Sequence, residues 1–170
     1  MSFEEIRVIT IVYLAVFLPL LIYFTNRSKL PTWIPSFYIV SIVVCALGWE
    51  LWFTYGWLDG DAVNIRRSEA LNIWLPKNIN WLMNSMGDAG AVLCGGVWLM
   101  WITHKKDPIV FKKWKWSAFS IFLIWCIGQN ILVEMFLYHD QLADDKLLSW
   151  APLSPFGPYF NPILFEFNDR

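Results

Sequence analysis

Four long apolar stretches constrain this chain more than any other feature: residues 6–25, 37–57, 81–103 and 117–138. Each is about 20 residues long, the length at which a helix rising 1.5 Å per residue crosses about 30 Å of hydrocarbon. Composition points the same way. Charged residues make up 16% of the chain, against about 25% in an ordinary soluble domain. A small soluble protein also has a large surface to cover with polar groups. The 12 Trp and 13 Phe suit a membrane protein, because aromatic side chains gather at the interfaces. The first stretch begins among acids (Glu4, Glu5) and ends in Thr25-Asn26-Arg27 without a small-residue cleavage site. It therefore reads as a span rather than a cleaved signal peptide.

The expected fold is an all-α integral membrane protein. Residues 1–138 form a four-transmembrane-helix bundle and residues 139–170 an outer-face tail. The tail includes the run SWAPLSPFGPYFNPILFEF. Pro152, Pro155, Pro158 and Pro162 forbid a regular helix there. Trp150, Phe156, Tyr159 and Phe160 are too apolar to remain in water. The tail is expected to pack as a cap on the loop between spans 2 and 3, where Ile73, Trp74 and Leu75 offer apolar surface. Within that loop, residues 62–74 have helical spacing, with Val63, Ile65, Leu71, Ile73 and Trp74 set against Arg66, Arg67, Glu69 and Asn72. This predicts a short interfacial helix in the headgroup plane, stopped by Pro76.

Loop charge sets the expected orientation. The loop between spans 3 and 4 carries Lys105, Lys106, Lys112, Lys113 and Lys115, and the first loop carries Arg27 and Lys29. The positive-inside rule places both in the cytoplasm, so both termini fall on the non-cytoplasmic side. A net charge of −1 gives no reason to expect nucleic acid. Expected partners are membrane lipids and either an apolar small molecule or other membrane subunits. Cys45, Cys94 and Cys126 are far apart in sequence, lack metal-ligand spacing and read as packing residues. His104 and His139 fall at opposite sides of the membrane and cannot share a metal. No P-loop, GxGxxG or HExxH is present, and neither a metal nor an organic cofactor is called for.

Polar residues inside the spans are costly and need a reason. The second span holds Glu50, next to Trp49 and Trp52. The third holds Asn84 and Asp88, and the fourth Gln129, Asn130 and Glu134. Antiparallel threading puts Glu50, Asp88 and Asn130 at similar depth, roughly 10 Å below the outer ends of their spans. Asn84 and Glu134 lie about one turn higher. Asn84 and Asp88 are four residues apart and share a helix face, as do Asn130 and Glu134. Interhelical hydrogen-bond glue explains amides well, but it does not call for three acids. Glu50, Asp88 and Glu134 are therefore candidate acid–base residues. Trp49, Trp52, Asn84, Gln129 and Asn130 are candidate substrate-binding residues. One carboxyl can protonate an alkene or epoxide and another can take a proton back, while aromatic faces stabilise the cation between. This plan resembles two families: the sterol isomerase-type four-helix proteins and the membrane-bound meroterpenoid cyclases, the latter also through the Trp49-Glu50 pair. The cyclases have more helices, and the likeness carries no residue roles over to this chain. It implies isomerase- or cyclase-type acid–base chemistry on a lipid or isoprenoid. The alternative is a non-catalytic accessory subunit of a larger membrane complex.

The small residues of the third span (Gly87, Ala91, Gly95) recur every four positions, a spacing that permits close helix approach. Single cysteines introduced into the loop between spans 3 and 4 should resist membrane-impermeant thiol reagents in sealed cells; ready labelling there would reverse the orientation.

Overall fold

The computed structural model describes residues 1–28, 30–56 and 61–133. Among these the protein is all-helical, with no strand. Helix α1 (Phe3–Asn26) starts at a capping box in which the Glu5 amide donates to Ser2 Oγ and the Ser2 amide donates to Glu5 Oε2. These two bonds satisfy donors that the first turn leaves without helical partners. Helix α2 (Ile34–Leu47) follows, then α3 (Trp49–Tyr55), α4 (Val63–Arg66), α5 (Glu69–Trp74) and α6 (Lys77–Gly87). A π-helical segment, Asp88–Cys94, joins α6 to α7 (Gly95–Thr103). A 3-10 turn (Pro108–Phe111) precedes α8 (Trp116–Val133).

Three helical stretches are long and apolar enough to cross a membrane: Phe3–Asn26, Lys77–Thr103 and Trp116–Val133. There are four if Ile34–Leu47 and Trp49–Tyr55 count as one span bent by 43°. The expected second span is thus not one continuous helix. It breaks at Gly48, whose φ and ψ of −92° and −123° are not helical. A Cβ at Gly48 would lie 2.7 Å from the Val44 carbonyl oxygen, so this backbone course needs glycine.

The third span, α6 through α7, is the hub. α1 packs along α6 and the π segment, α2 and α3 pack on its other side, and α8 packs chiefly on α7. The glycines set these approaches. Gly90 meets Pro19 of α1, Gly87 meets Ala15, and Gly96 meets Phe122 of α8. The core around the α1 contact gathers Val8, Val16, Leu71, Leu75 and Met83. Cys45 is buried, and Cys94 and Cys126 are partly so.

The loop between the second and third spans departs from expectation. Residues 62–74 form two short helices, α4 and α5, that part at Arg67-Ser68. Ser68 caps α5 by accepting from the Leu71 amide, and its hydroxyl donates to Glu5 Oε1 at 2.6 Å. The facing follows the pattern at Val63 and Leu71, which are buried, and at Glu69, which is exposed, but not elsewhere. Arg66 and Arg67 are 1% and 4% exposed, while Ile65, Ile73 and Trp74 are exposed. Buried hydrogen-bond acceptors near the mouth of the helices, described below, outweigh the amphipathic pattern. Leu75 is buried. The tail expected to cover this loop, with Trp150, Phe156, Tyr159 and Phe160, lies outside the described residues.

A Cβ at Gly90 would sit 2.8 Å from Pro19 Cγ, whereas one at Gly87 would sit 3.3 Å from Ala15 Cβ. Gly90→Ala should therefore lower thermal stability in detergent by about 1–3 kcal/mol, and Gly87→Ala by clearly less. Equal effects would show that the Gly90–Pro19 contact does not set the spacing of α1.

Candidate functional site

The break at Gly48 places Trp49 and Glu50 in the first turn of α3, against α6. Glu50 is 1% exposed. Its carboxylate accepts from Thr54 Oγ1 at 3.2 Å and also takes a side-chain hydrogen bond from Asn84 of α6. In return Trp49 Nε1 donates to Asp88 Oδ2 at 2.7 Å. The pairing is crossed: α3 carries Glu50 and the donor Trp49, the third span carries Asp88 and the donor Asn84, and each of these donors serves the carboxyl on the other side. Glu50 and Asp88 are close enough to interact electrostatically, and Arg66 lies near Glu50. Asp88 opens the π segment, a helix form that is rare and concentrates at functional sites.

The sequence-derived candidates divide clearly. Glu50, Asp88, Asn84 and Trp49 come together. Trp52 belongs to α3, but its side chain is outside the described residues, as is Glu134. Gln129 donates instead to the carbonyl of Cys126 in its own helix. Asn130 is exposed on α8 and makes no hydrogen bond among the described residues. Asn130 therefore does not join Glu50, Asn84 and Asp88. The reason is the packing of α8, which lies mainly against α7 rather than α3.

Two groups were not legible as part of this region. Arg66 lies over the Phe53 ring, 4.0 Å from its centroid, and donates from Nη2 to the Phe53 carbonyl at 3.0 Å. Arg67 donates from Nε to Asn72 Oδ1, from Nη1 to Asn80 Oδ1 and from Nη2 to the Leu75 carbonyl. Burial, with Arg66 beside it, draws Arg67 down to about 10, so it remains a cation at neutral pH. A charged pair in a loop ordinarily marks a solvated face, and no local pattern reveals that carbonyl and amide oxygens wait for it. Asn80 itself is 2% exposed.

A cavity of about 700 Å³ lies between α1, α2, the π segment and α7. Ala15, Pro19, Tyr38, Gly90, Cys94 and Trp98 are on its wall, which is almost wholly apolar. Glu50 and Asp88 are not on that wall. Gly90, two residues beyond Asp88, is. The Tyr38 hydroxyl donates to the Met86 carbonyl at 3.3 Å and so ties α2 to the turn that carries Asp88. Among the described residues no three His, Cys, Asp or Glu side chains gather as a metal site. Comparison with protein-family models, with curated proteins and with solved structures finds no match to this chain.

Two substitutions test the region. Arg67→Ala leaves buried acceptors at Asn80 and Leu75 without a donor and should cost about 2–4 kcal/mol of stability. The crossed pairing is tested by a double-mutant cycle of Glu50→Gln with Asn84→Ala, which should show a coupling of at least about 0.5 kcal/mol in unfolding experiments. Additive effects would mean that the two side chains do not act as a pair.

Proposed function

We propose that this protein is an integral membrane enzyme that performs acid–base chemistry on an apolar lipid or isoprenoid, of isomerase or cyclase type, with Glu50 and Asp88 as the reacting carboxyls. The observation that carries this reading is the crossed pairing of the two acids inside a helical membrane protein. Simple helix adhesion needs one donor and one acceptor. Here two carboxyls, one buried and one partly buried, lie close enough to interact, each with its own donor.

In the proposed reaction one carboxyl gives a proton to one carbon of an alkene, or to an epoxide oxygen, and a cation forms on the adjoining carbon. The other carboxyl removes a proton next to the cationic centre and a new double bond forms. The proton count balances and no electrons are gained or lost. Asn84 and Trp49 fix the carboxyl orientations, and the Trp49 ring offers a π face to the cation. The apolar cavity beside Gly90 suits the body of such a substrate, since a pocket of that size matches a small apolar ligand. Both termini are proposed to lie on the non-cytoplasmic side, which puts the acids in the half of the bilayer nearer that side. Glu134 is retained as a further candidate acid.

The test uses the exchange that such chemistry must cause. Membranes carrying the protein are incubated in D2O and their apolar lipids analysed by mass spectrometry for deuterium. An alkene that is protonated and deprotonated by this protein gains label. Glu50→Gln and Asp88→Asn should each reduce the labelling rate by about 10²-fold or more. If labelling is the same with wild type, with either variant and with membranes lacking the protein, the catalytic reading fails. A stoichiometric protein partner retained through mild extraction would then favour the accessory-subunit alternative.

A further inference from the structure

The connection between α7 and α8 is more elaborate than a turn. Its first residues, Lys105 and Lys106, have φ of 56° and 60°, a left-handed conformation that glycine adopts freely and lysine does not. Their amides donate to the Ile102 and Trp101 carbonyls and close the end of α7. The His104 ring bridges the Met100 carbonyl and Ser117 Oγ, at 2.8 and 2.9 Å, and so ties the end of α7 to the start of α8. Asp107 accepts from the Ile109 amide at 2.9 Å. The following 3-10 turn folds back, burying Val110 and setting Phe111 edge-on to Trp33 at 5.5 Å.

This folding holds Lys112, Lys113 and Lys115 at the rim of a second cavity, of about 440 Å³. Phe37, Val97 and Phe122 continue its wall between the helices. Trp114 stands exposed at the rim, and the exposed Trp116 lies against it, with ring centroids 5.2 Å apart. Residues 105–116 hold five lysines and a single acid, Asp107, whose carboxylate is already engaged. The rim is thus strongly cationic, while the wall behind it is aromatic and aliphatic.

We infer that this is a binding site for an anionic phospholipid, with the phosphate on Lys112, Lys113 and Lys115 and an acyl chain along the Phe37–Phe122 wall. Charge complementarity selects an anion. Depth selects a lipid: the lysines sit where α7 ends and α8 begins, at the level of exposed tryptophans, and basic pockets between spans at headgroup level bind anionic lipids. A soluble anion would make no use of the apolar wall. The inference stands apart from the proposed catalysis, since it shares no residue with the Glu50–Asp88 site.

The full chain, purified in mild detergent and stripped of lipid, is titrated with phosphatidylglycerol or with phosphatidylcholine, and bound lipid is counted by native mass spectrometry. Wild type should prefer phosphatidylglycerol by about tenfold or more, and the triple variant Lys112→Gln/Lys113→Gln/Lys115→Gln should show a preference of less than about twofold. Lys77→Gln, at the opposite end of the third span, should keep the wild-type preference. Equal binding of the two lipids by wild type would overturn the site. So would a triple variant that keeps its preference, or a Lys77→Gln variant that loses it. Displacement of phosphatidylglycerol by millimolar inorganic phosphate would assign the lysines to soluble anions and overturn it too.

Discussion

In hydrocarbon, a backbone carbonyl without a hydrogen bond has no water to turn to, and the architecture of this protein follows from how it meets that demand at two breaks. The second span breaks at Gly48, and the third passes through the π segment. At the first break Trp81 Nε1 donates to the Ala46 carbonyl at 2.8 Å. At the second, Trp125 Nε1 donates to the carbonyls of Ala91 and Val92, both at 3.1 Å. In each case the indole comes from a different helix and supplies the donor at the irregular backbone. Tryptophan suits this role because its bulk is apolar and its one N–H only donates. The breaks hold the acids. Trp49 and Glu50 follow the first break directly, and Asp88 begins the second irregular stretch.

The third span carries both obligations at once. On one side its glycines admit α1 and α8 to close range; on another, Asn84 of α6 and Asp88 at the start of the π segment meet α3. A straight helix with larger side chains would fill the space now occupied by Pro19 and Phe122. Close packing and the polar pairing therefore depend on the same small-residue segment.

Hydropathy made the spans legible. The first stretch, 6–25, lies within Phe3–Asn26; the third, 81–103, lies within Lys77–Thr103; and the fourth starts within one residue of Trp116. Helix ends differ because polar first turns such as Lys77–Asn80 continue a helix beyond its apolar part. The break at Gly48 was not legible, because one glycine in an apolar run does not announce a change of direction. Glu50, Asn84 and Asp88 stood out because a charge or amide among Leu, Val and Trp is conspicuous, and a four-residue spacing fixes a shared face. The grouping of Asn130 with them was a matter of depth alone. Depth says nothing of lateral position, and α8 turns out to pack on α7. The burial of the arginines was not legible for the opposite reason: in a loop, charge is unremarkable, and only the fold brings the Phe53 and Leu75 carbonyls to them.

Those two arginines have a bearing on how the chain is assembled. Arg66 needs Phe53, which precedes it; Arg67 needs Asn72, Leu75 and Asn80, which follow it. During synthesis Phe53 emerges first, Asn72 and Leu75 follow within the loop, and Asn80 comes only with the start of the third span. Until then the Arg67 guanidinium lacks one of its three acceptors. The loop can close only when both flanking spans are in place. The two arginines thus fasten the end of the second span to the start of the third, and a chain cut between Leu75 and Asn80 would leave Arg67 one acceptor short.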